Sequence, residues 1–174
     1  MAAVILAAGA GSRFGGPKQR LLLPRVLERV RQSSVSRIAV VAGAHDLDVA
    51  GVELVACPEW ERGPGASLRC GLRALSDDTE AAVVCLADGP NVSPHAIDRL
   101  VEAWAHGGAD VVAASYGGER GHPVVLARPA WNSIPDEGAR ALPATLVACD
   151  DLPLPGDVDT PRDLERLDPP LAER

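Results

Sequence analysis

The sequence predicts an α/β fold: a single domain with a mostly parallel sheet, helices on both faces and one antiparallel strand. Three observations lead there. Short apolar runs alternate with amphipathic segments along all 174 residues, which is the pattern of repeated βαβ units. Hydrophobic residues make up 47% of the chain but aromatics only 3%, so the core is built from Ala, Val, Leu and Ile, a palette suited to strands buried on both faces. The stretch "GGERGHP" (117–123) between two apolar runs reads as a hairpin turn, which a purely parallel sheet has no use for.

In order, the expected strands are Ala2–Ala8, Arg37–Gly43, Val52–Ala56, Ala81–Asp88, Asp110–Tyr116, His122–Ala127 and Thr145–Cys149. Ser93-Pro94 and Thr160-Pro161 each read as an N-cap followed by proline at the first helical position. The run "PKQRLLLPRVLERV" (17–30) leads from leucines into a helix marked by Pro24. The expected domain covers residues 1–168, and the Pro-rich, charged stretch 169–174 reads as a loosely ordered tail. A net charge of -7 with no long basic run argues against nucleic acid as a partner. No apolar stretch approaches the roughly 20 residues that span a bilayer, and the apolar start lacks a basic region and a cleavage site, so a cytoplasmic protein without membrane contact is expected. Cys57, Cys70, Cys85 and Cys149 form no C-x-x-C pair and read as reduced, mostly buried thiols.

The first strand runs into "LAAGAGSRFGGPKQ", Leu6 to Gln19. A dinucleotide fingerprint fits poorly, because Phe14 stands where the third glycine belongs. A Walker A loop fails, because Gln19 follows Lys18 where Ser or Thr is required. What fits is a loop whose amides wrap a triphosphate while Arg13 and Lys18 supply two cations. The plain alternative is a turn with solvated cations.

Six segments in order resemble the MobA-like nucleotidyltransferases, and within them the molybdenum cofactor cytidylyltransferases: "LAAGAGSRFGGPKQ", "GPGASLRCGLRAL" (63–75), "LADGP" (86–90), "GERGHPVVLARPAW" (118–131), "DEGAR" (136–140) and "DVDTPRDL" (157–164). The resemblance implies a Rossmann-like nucleotidyltransferase fold and transfer of CMP from CTP to the terminal phosphate of a molybdopterin-type acceptor, with release of pyrophosphate. It implies Mg²⁺ as cofactor, nucleotide contacts from Leu6, Ala7, Ala8, Gly9, Gly11, Ser12, Arg13, Lys18 and Ser67, and a molybdoenzyme or its maturation factor as a possible partner. Arg13, Lys18, Asp88 and Asp159 are the expected catalytic set, with Asp88 and Asp159 as metal ligands and Asp157 as the alternate second ligand. The attacking phosphate is already ionised, which accounts for the lack of a nucleophile motif.

Each assignment has a structural alternative. Asp88 ends an apolar run, where open α/β sheets place ligands, but also precedes a Gly-Pro turn. Asp157 and Asp159 could cap the following helix, and Ser67 could cap the helix carrying Leu68, Leu72 and Leu75. His122 faces either the acceptor or the core, and Arg140 meets either an anionic acceptor group or Asp136. Loops after Lys18 and near residues 43–54 and 128–147 are shorter than in the resembled family, and Gly89 stands where its members tend to carry glutamine. Leu6-Ala7-Ala8-Gly9 matches the cytidylyl form, whereas guanylyl members carry L-A-G-G. The rival readings are a guanylyltransferase acting on molybdopterin or phospholactate, an NAD(P)-dependent oxidoreductase, and a non-catalytic nucleotide-binding module.

Overall fold

The structure is a computed structural model that describes residues 1–167, the side chain of Leu167 excepted. The domain boundary at 168 and the tail 169–174 lie outside the described residues. All seven expected strands form: β1 (Ala2–Ala7), β2 (Arg37–Ala42), β3 (Glu53–Ala56), β4 (Ala81–Leu86), β5 (Val111–Tyr116), β6 (Glu119–Ala127) and β7 (Thr145–Ala148). They make one sheet in the order β3-β2-β1-β4-β6-β5-β7. β6 alone runs antiparallel, against β4 on one side and β5 on the other. Its hairpin turns through Gly117 and Gly118, both at positive φ as a tight turn of this kind requires.

Alternate residues of β1 serve the two faces, as the period of a strand dictates. Ala3, Ile5 and Ala7 join a core cluster with Leu23, Val26 and Leu27 of α1 (Lys18–Arg31) and Ile97 and Leu100 of α3 (Pro94–Gly107). Ala2 and Val4 join the opposite cluster with Leu68 and Leu72 of α2 (Pro64–Ala74). At Gly71 α2 lies so close to the sheet that a Cβ there would stand 2.5 Å from Val4 Cγ1.

Several local expectations change. α1 starts at Lys18 and carries Pro24 inside it, because Pro24 falls on an exposed face where Leu22, Leu23, Val26 and Leu27 already bury the other side. α2 starts at Pro64 with Gly63 as its cap, so Ser67 lies inside the helix and does not cap it. The Thr160 cap forms: Asp163 N–H reaches Thr160 Oγ1, and Asp163 Oδ2 accepts from Thr160 N at 2.8 Å, at the start of α4 (Pro161–Leu167). Cys57 and Cys70 are not reduced thiols but a disulfide, because α2 packs beside the end of β3 and brings their Cα atoms to 5.8 Å. Cys85 and Cys149 are free and buried, and burial pushes the Cys85 thiol up to about 12.

Candidate active site

In this strand order the chain leaves β1 toward β2 and leaves β4 toward the other side, so a crevice opens between the carboxyl ends of β1 and β4. A cavity of about 230 Å³ occupies it, lined by Leu6, Gly9, Gly11, Ser12, Arg13, Lys18, Gln19, Ala87, Asp88 and Asp159. The loop from Ala8 to Pro17 is one wall. Gly11 permits its shape: φ is +63°, and a Cβ there would collide with Gly16 O. Gln19 holds the same wall from the helix, donating from Nε2 to Gly9 O at 2.8 Å.

The opposite wall is assembled from residues 70 and more positions away. Val158 N–H donates to Asp88 O at 3.0 Å, which ties the β4 exit to the segment before α4. Asp163 Oδ2 accepts from Asp159 N at 3.3 Å and from Thr160, so the α4 cap also sets the backbone beneath Asp159. Lys18, the first residue of α1 and only 7% exposed, reaches across. Its Nζ donates to Asp88 Oδ2 at 3.2 Å, Val158 O at 2.7 Å and Asp159 Oδ1 at 3.0 Å. Arg13 Nη1 pairs with Asp159 Oδ2 at 2.8 Å. Burial works to lower the Lys18 pKa, but the Asp159 hydrogen bond and the charges of Asp88 and Asp159 outweigh it and carry the value above its ordinary one. Asp157 is held above the usual carboxylate range by burial first, then by Asp88 and Asp159.

The acidic set suits a hard cation. Asp88, Asp157 and Asp159 each present a carboxylate oxygen, all within 4.8 Å of one another. An ammonium already sits among two of them, so this spot stabilises positive charge.

A second cavity, of about 380 Å³, lies beyond Asp88, with Leu86, Val92, Tyr116, His122, Arg140 and Pro155 among its lining. Burial pushes the His122 imidazole down to about 4; the Asp88 charge opposes this and Arg140 and Arg120 reinforce it. Arg120 is spent on the backbone, donating to Leu142 O and Ala139 O. Arg140 does not pair with Asp136, because Arg69 and Arg62 hold that carboxylate from α2 and the turn before it.

The expected set Leu6, Gly9, Gly11, Ser12, Arg13, Lys18, Asp88 and Asp159 thus shares one cavity. Ala7, Ala8 and Ser67 do not reach its wall: Ala8 is buried in the α2-side core and Ser67 is buried within α2. Sequence reasoning passed over Gln19 and the Val158 carbonyl. Gln19 carried a usable signal, its place directly after Lys18 at a helix start; a backbone carbonyl carries none.

With this geometry in place, the sequence model of the MobA-like NTP transferase domain matches residues 3–147. The chain belongs to that family. It is a nucleotidyltransferase fold with a glycine-rich loop at the carboxyl end of β1. The 2-C-methyl-D-erythritol 4-phosphate cytidylyltransferase of Roseobacter denitrificans is 31% identical over 118 residues, 58% of this chain and 51% of that protein. The chain therefore spans about half the length of this curated relative. Rv0371c of Mycobacterium tuberculosis superposes with a TM-score of 0.82 at 26% identity, covering 95% of each chain. Its complex with manganese gives 0.78 at 23% identity, covering 95% of this chain and 96% of that one. Molybdopterin-guanine dinucleotide biosynthesis protein A of Archaeoglobus fulgidus shares the fold, with a TM-score of 0.69 at 19% identity over 95% of this chain and 96% of that one. Among the described residues no helix is long and apolar enough to cross a membrane.

Proposed function

We propose that this protein transfers CMP from CTP to the terminal phosphate of a molybdopterin-type acceptor and releases pyrophosphate. One observation carries the reading: two cations of a glycine-rich loop meet a strand-end carboxylate, Asp88, and a helix-start carboxylate, Asp159, in one cavity at the sheet's carboxyl edge. Lys18 and Arg13 neutralise the triphosphate and the departing pyrophosphate, while Gly9 to Ser12 bring the backbone close to it. Asp88 and Asp159 hold Mg²⁺, with Asp157 as the further carboxylate of the cluster. When bound, such an ion draws charge from the phosphate oxygens and fixes their orientation for in-line attack.

Ser67 and Ala8, on the α2 side, support the base side of the site through the backbone, and Ala7 packs on the opposite face. The second cavity takes the acceptor: its apolar lining suits a flat heterocycle, neutral His122 offers a hydrogen bond without charge, and Arg140 receives an anionic group. The LAAG loop supports cytosine over guanine, and the manganese complex of Rv0371c supports a divalent ion. A molybdoenzyme or its maturation factor would receive the product.

The experiment is a pyrophosphate-release assay with Mg²⁺, a molybdopterin-type acceptor and each nucleoside triphosphate in turn. Acceptor-dependent release with CTP and much less with GTP is expected. Faster release with GTP favours the guanylyl reading, and release with a sugar phosphate or polyol phosphate but not with the pterin overturns the acceptor.

A further inference from the structure

An ammonium has three N–H donors and no more. Lys18 spends all three, on Asp88, Val158 and Asp159. Asp159 is in the reciprocal position, with Oδ1 taken by Lys18 and Oδ2 by Arg13. The cations that the loop would offer to a triphosphate are therefore bound to the carboxylates that would hold a metal. While these pairs hold, Lys18 has no donor left for a phosphate, and a metal at Asp159 would stand beside two cations.

We propose that Lys18 and Arg13 act as stand-in cations that keep Asp88 and Asp159 covered in the nucleotide-free protein, and that an incoming triphosphate uncovers the metal ligands by drawing both side chains away. This rests on the metal and triphosphate reading given above and adds an order to it: metal and nucleotide enter as one coupled event.

Charge decides the order. Three carboxylates, Asp88, Asp157 and Asp159, face two cations in the closed cluster, so the site is near balance before any ligand arrives. A divalent ion alone must come within a few ångströms of the Lys18 ammonium, a like-charge contact in a partly buried setting. A triphosphate alone must press its oxygens against the carboxylates. Arriving together, each ligand relieves the other's repulsion. The moving parts are side chains only. Arg13 is 75% exposed and free to swing, whereas the Lys18 backbone is fixed at the start of α1 and only its flexible stem must turn. By linkage, whatever factor the triphosphate contributes to metal affinity, the metal returns to triphosphate affinity.

The test titrates Mn²⁺ alone into the nucleotide-free full chain and reads free Mn²⁺ by electron paramagnetic resonance. Lys18→Met, which removes the ammonium but keeps the length, should bind Mn²⁺ at least about tenfold more tightly than wild type, since a unit charge within ~4 Å in a partly buried site is worth more than that factor. Arg20→Met is the charge control. Its guanidinium lies on the same helix but donates to Asp46 O, so its loss should shift Mn²⁺ affinity less than about threefold through screened solvent.

Arg13→Gln, at an exposed position where folding is not at stake, should give a smaller gain than Lys18→Met because it frees one oxygen only. Conversely, Asp159→Asn in EDTA should bind CTP more tightly than wild type, since it releases Arg13 from its ion pair and weakens one of the three contacts that hold Lys18. Mn²⁺ affinity that is unchanged or weaker in both Lys18→Met and Arg13→Gln, while Asp88→Asn still weakens it, overturns the clasp and leaves the metal site standing. Mn²⁺ binding that Asp88→Asn and Asp159→Asn leave untouched overturns the metal reading itself.

Discussion

The two cavities on either side of Asp88 are built on opposite principles. The one beneath the glycine loop is about 230 Å³ and walled by charge: Arg13 and Lys18 meet Asp88 and Asp159 in a closed set of ion pairs. The one beyond is about 380 Å³, mixes apolar side chains with a histidine that burial keeps neutral, and leaves the Arg140 guanidinium without a hydrogen bond or ion pair among the described residues. A triphosphate is dense charge of nearly invariant shape, so one side can be preset as an ionic lattice. The acceptor proposed above, a ring and one phosphate, would need contact area, with charge at a single place. The difference also predicts how each half fails: the first by loss of chemistry, the second by loss of affinity or of acid stability.

The hardest blow to the first half is Asp88→Asn. It removes a charge and almost no volume, so the fold should survive while kcat/KM falls about a thousandfold, the several kcal/mol expected when a metal ligand is lost. Near-normal turnover at saturating Mg²⁺ would show that the charged cavity is structural and that chemistry happens elsewhere.

The second half should show itself in acid. The folded state holds His122 near 4, well below its ordinary 6.5, so it is the unfolded chain that takes up this proton first. Stability is therefore full above about pH 6.5 and is lost as pH falls toward 4, by roughly 3 kcal/mol at 1.36 kcal/mol per unit of pKa difference. His122→Gln should remove that part of the loss. Urea melts of both proteins between pH 7 and 4 check it, and parallel curves would place the imidazole in contact with solvent.

Arg140→Met is expected to be gentler. It should raise KM for the acceptor about tenfold, close to 1.4 kcal/mol, and leave KM for CTP unchanged, which steady-state kinetics with each substrate varied would read. An equal rise for both substrates would merge the two cavities into one functional unit.

How legible each half was follows from its construction. The first cavity is made largely of residues from one loop plus two strand-end or helix-start acids, and such local signals survive in a linear string: seven strands, the hairpin and the lining residues Leu6, Gly9, Gly11, Ser12, Arg13 and Lys18 were readable, though Ala7 and Ala8 were expected there too. What closes it was not. The Val158 carbonyl belongs to no side-chain pattern, and the union of Lys18 with Asp159 is separated by 141 positions. The second cavity collects Leu86, Tyr116, His122, Arg140 and Pro155 from five segments, so only His122 and Arg140 stood out, and the sequence left Arg140 open between an acceptor group and Asp136, a carboxylate that Arg69 and Arg62 in fact hold. The Cys57–Cys70 bond escaped for a similar reason, since no spacing rule covers a strand end meeting the second turn of a helix.

Ala8 offers the smallest effect and the sharpest division between the halves. The LAAG loop favours cytosine by resemblance, and a methyl at Ala8 suggests a filter against the larger base. Yet Ala8 is 5% exposed, it joins the α2-side core cluster with Cys57, Leu68 and the partly buried Trp60, and its carbonyl accepts from Ala44 N at 3.0 Å. The wall of the charged cavity is Leu6, Gly9 and Gly11 instead. On the cytidylyl reading proposed above, a methyl in that position would act on the base only through the backbone in front of it. Ala8→Gly should then cost about 1 kcal/mol of stability, from one lost buried methyl and a looser chain. It should move the ratio of GTP to CTP affinity by less than about tenfold, the low end of what a methyl-scale pocket change achieves. Calorimetric titration of both nucleotides with Mg²⁺, beside a thermal melt, measures the two effects together. A large gain in GTP affinity with little loss of stability would mean that the methyl touches the base directly, and that the nucleotide half extends past the charged cavity onto the α2 face.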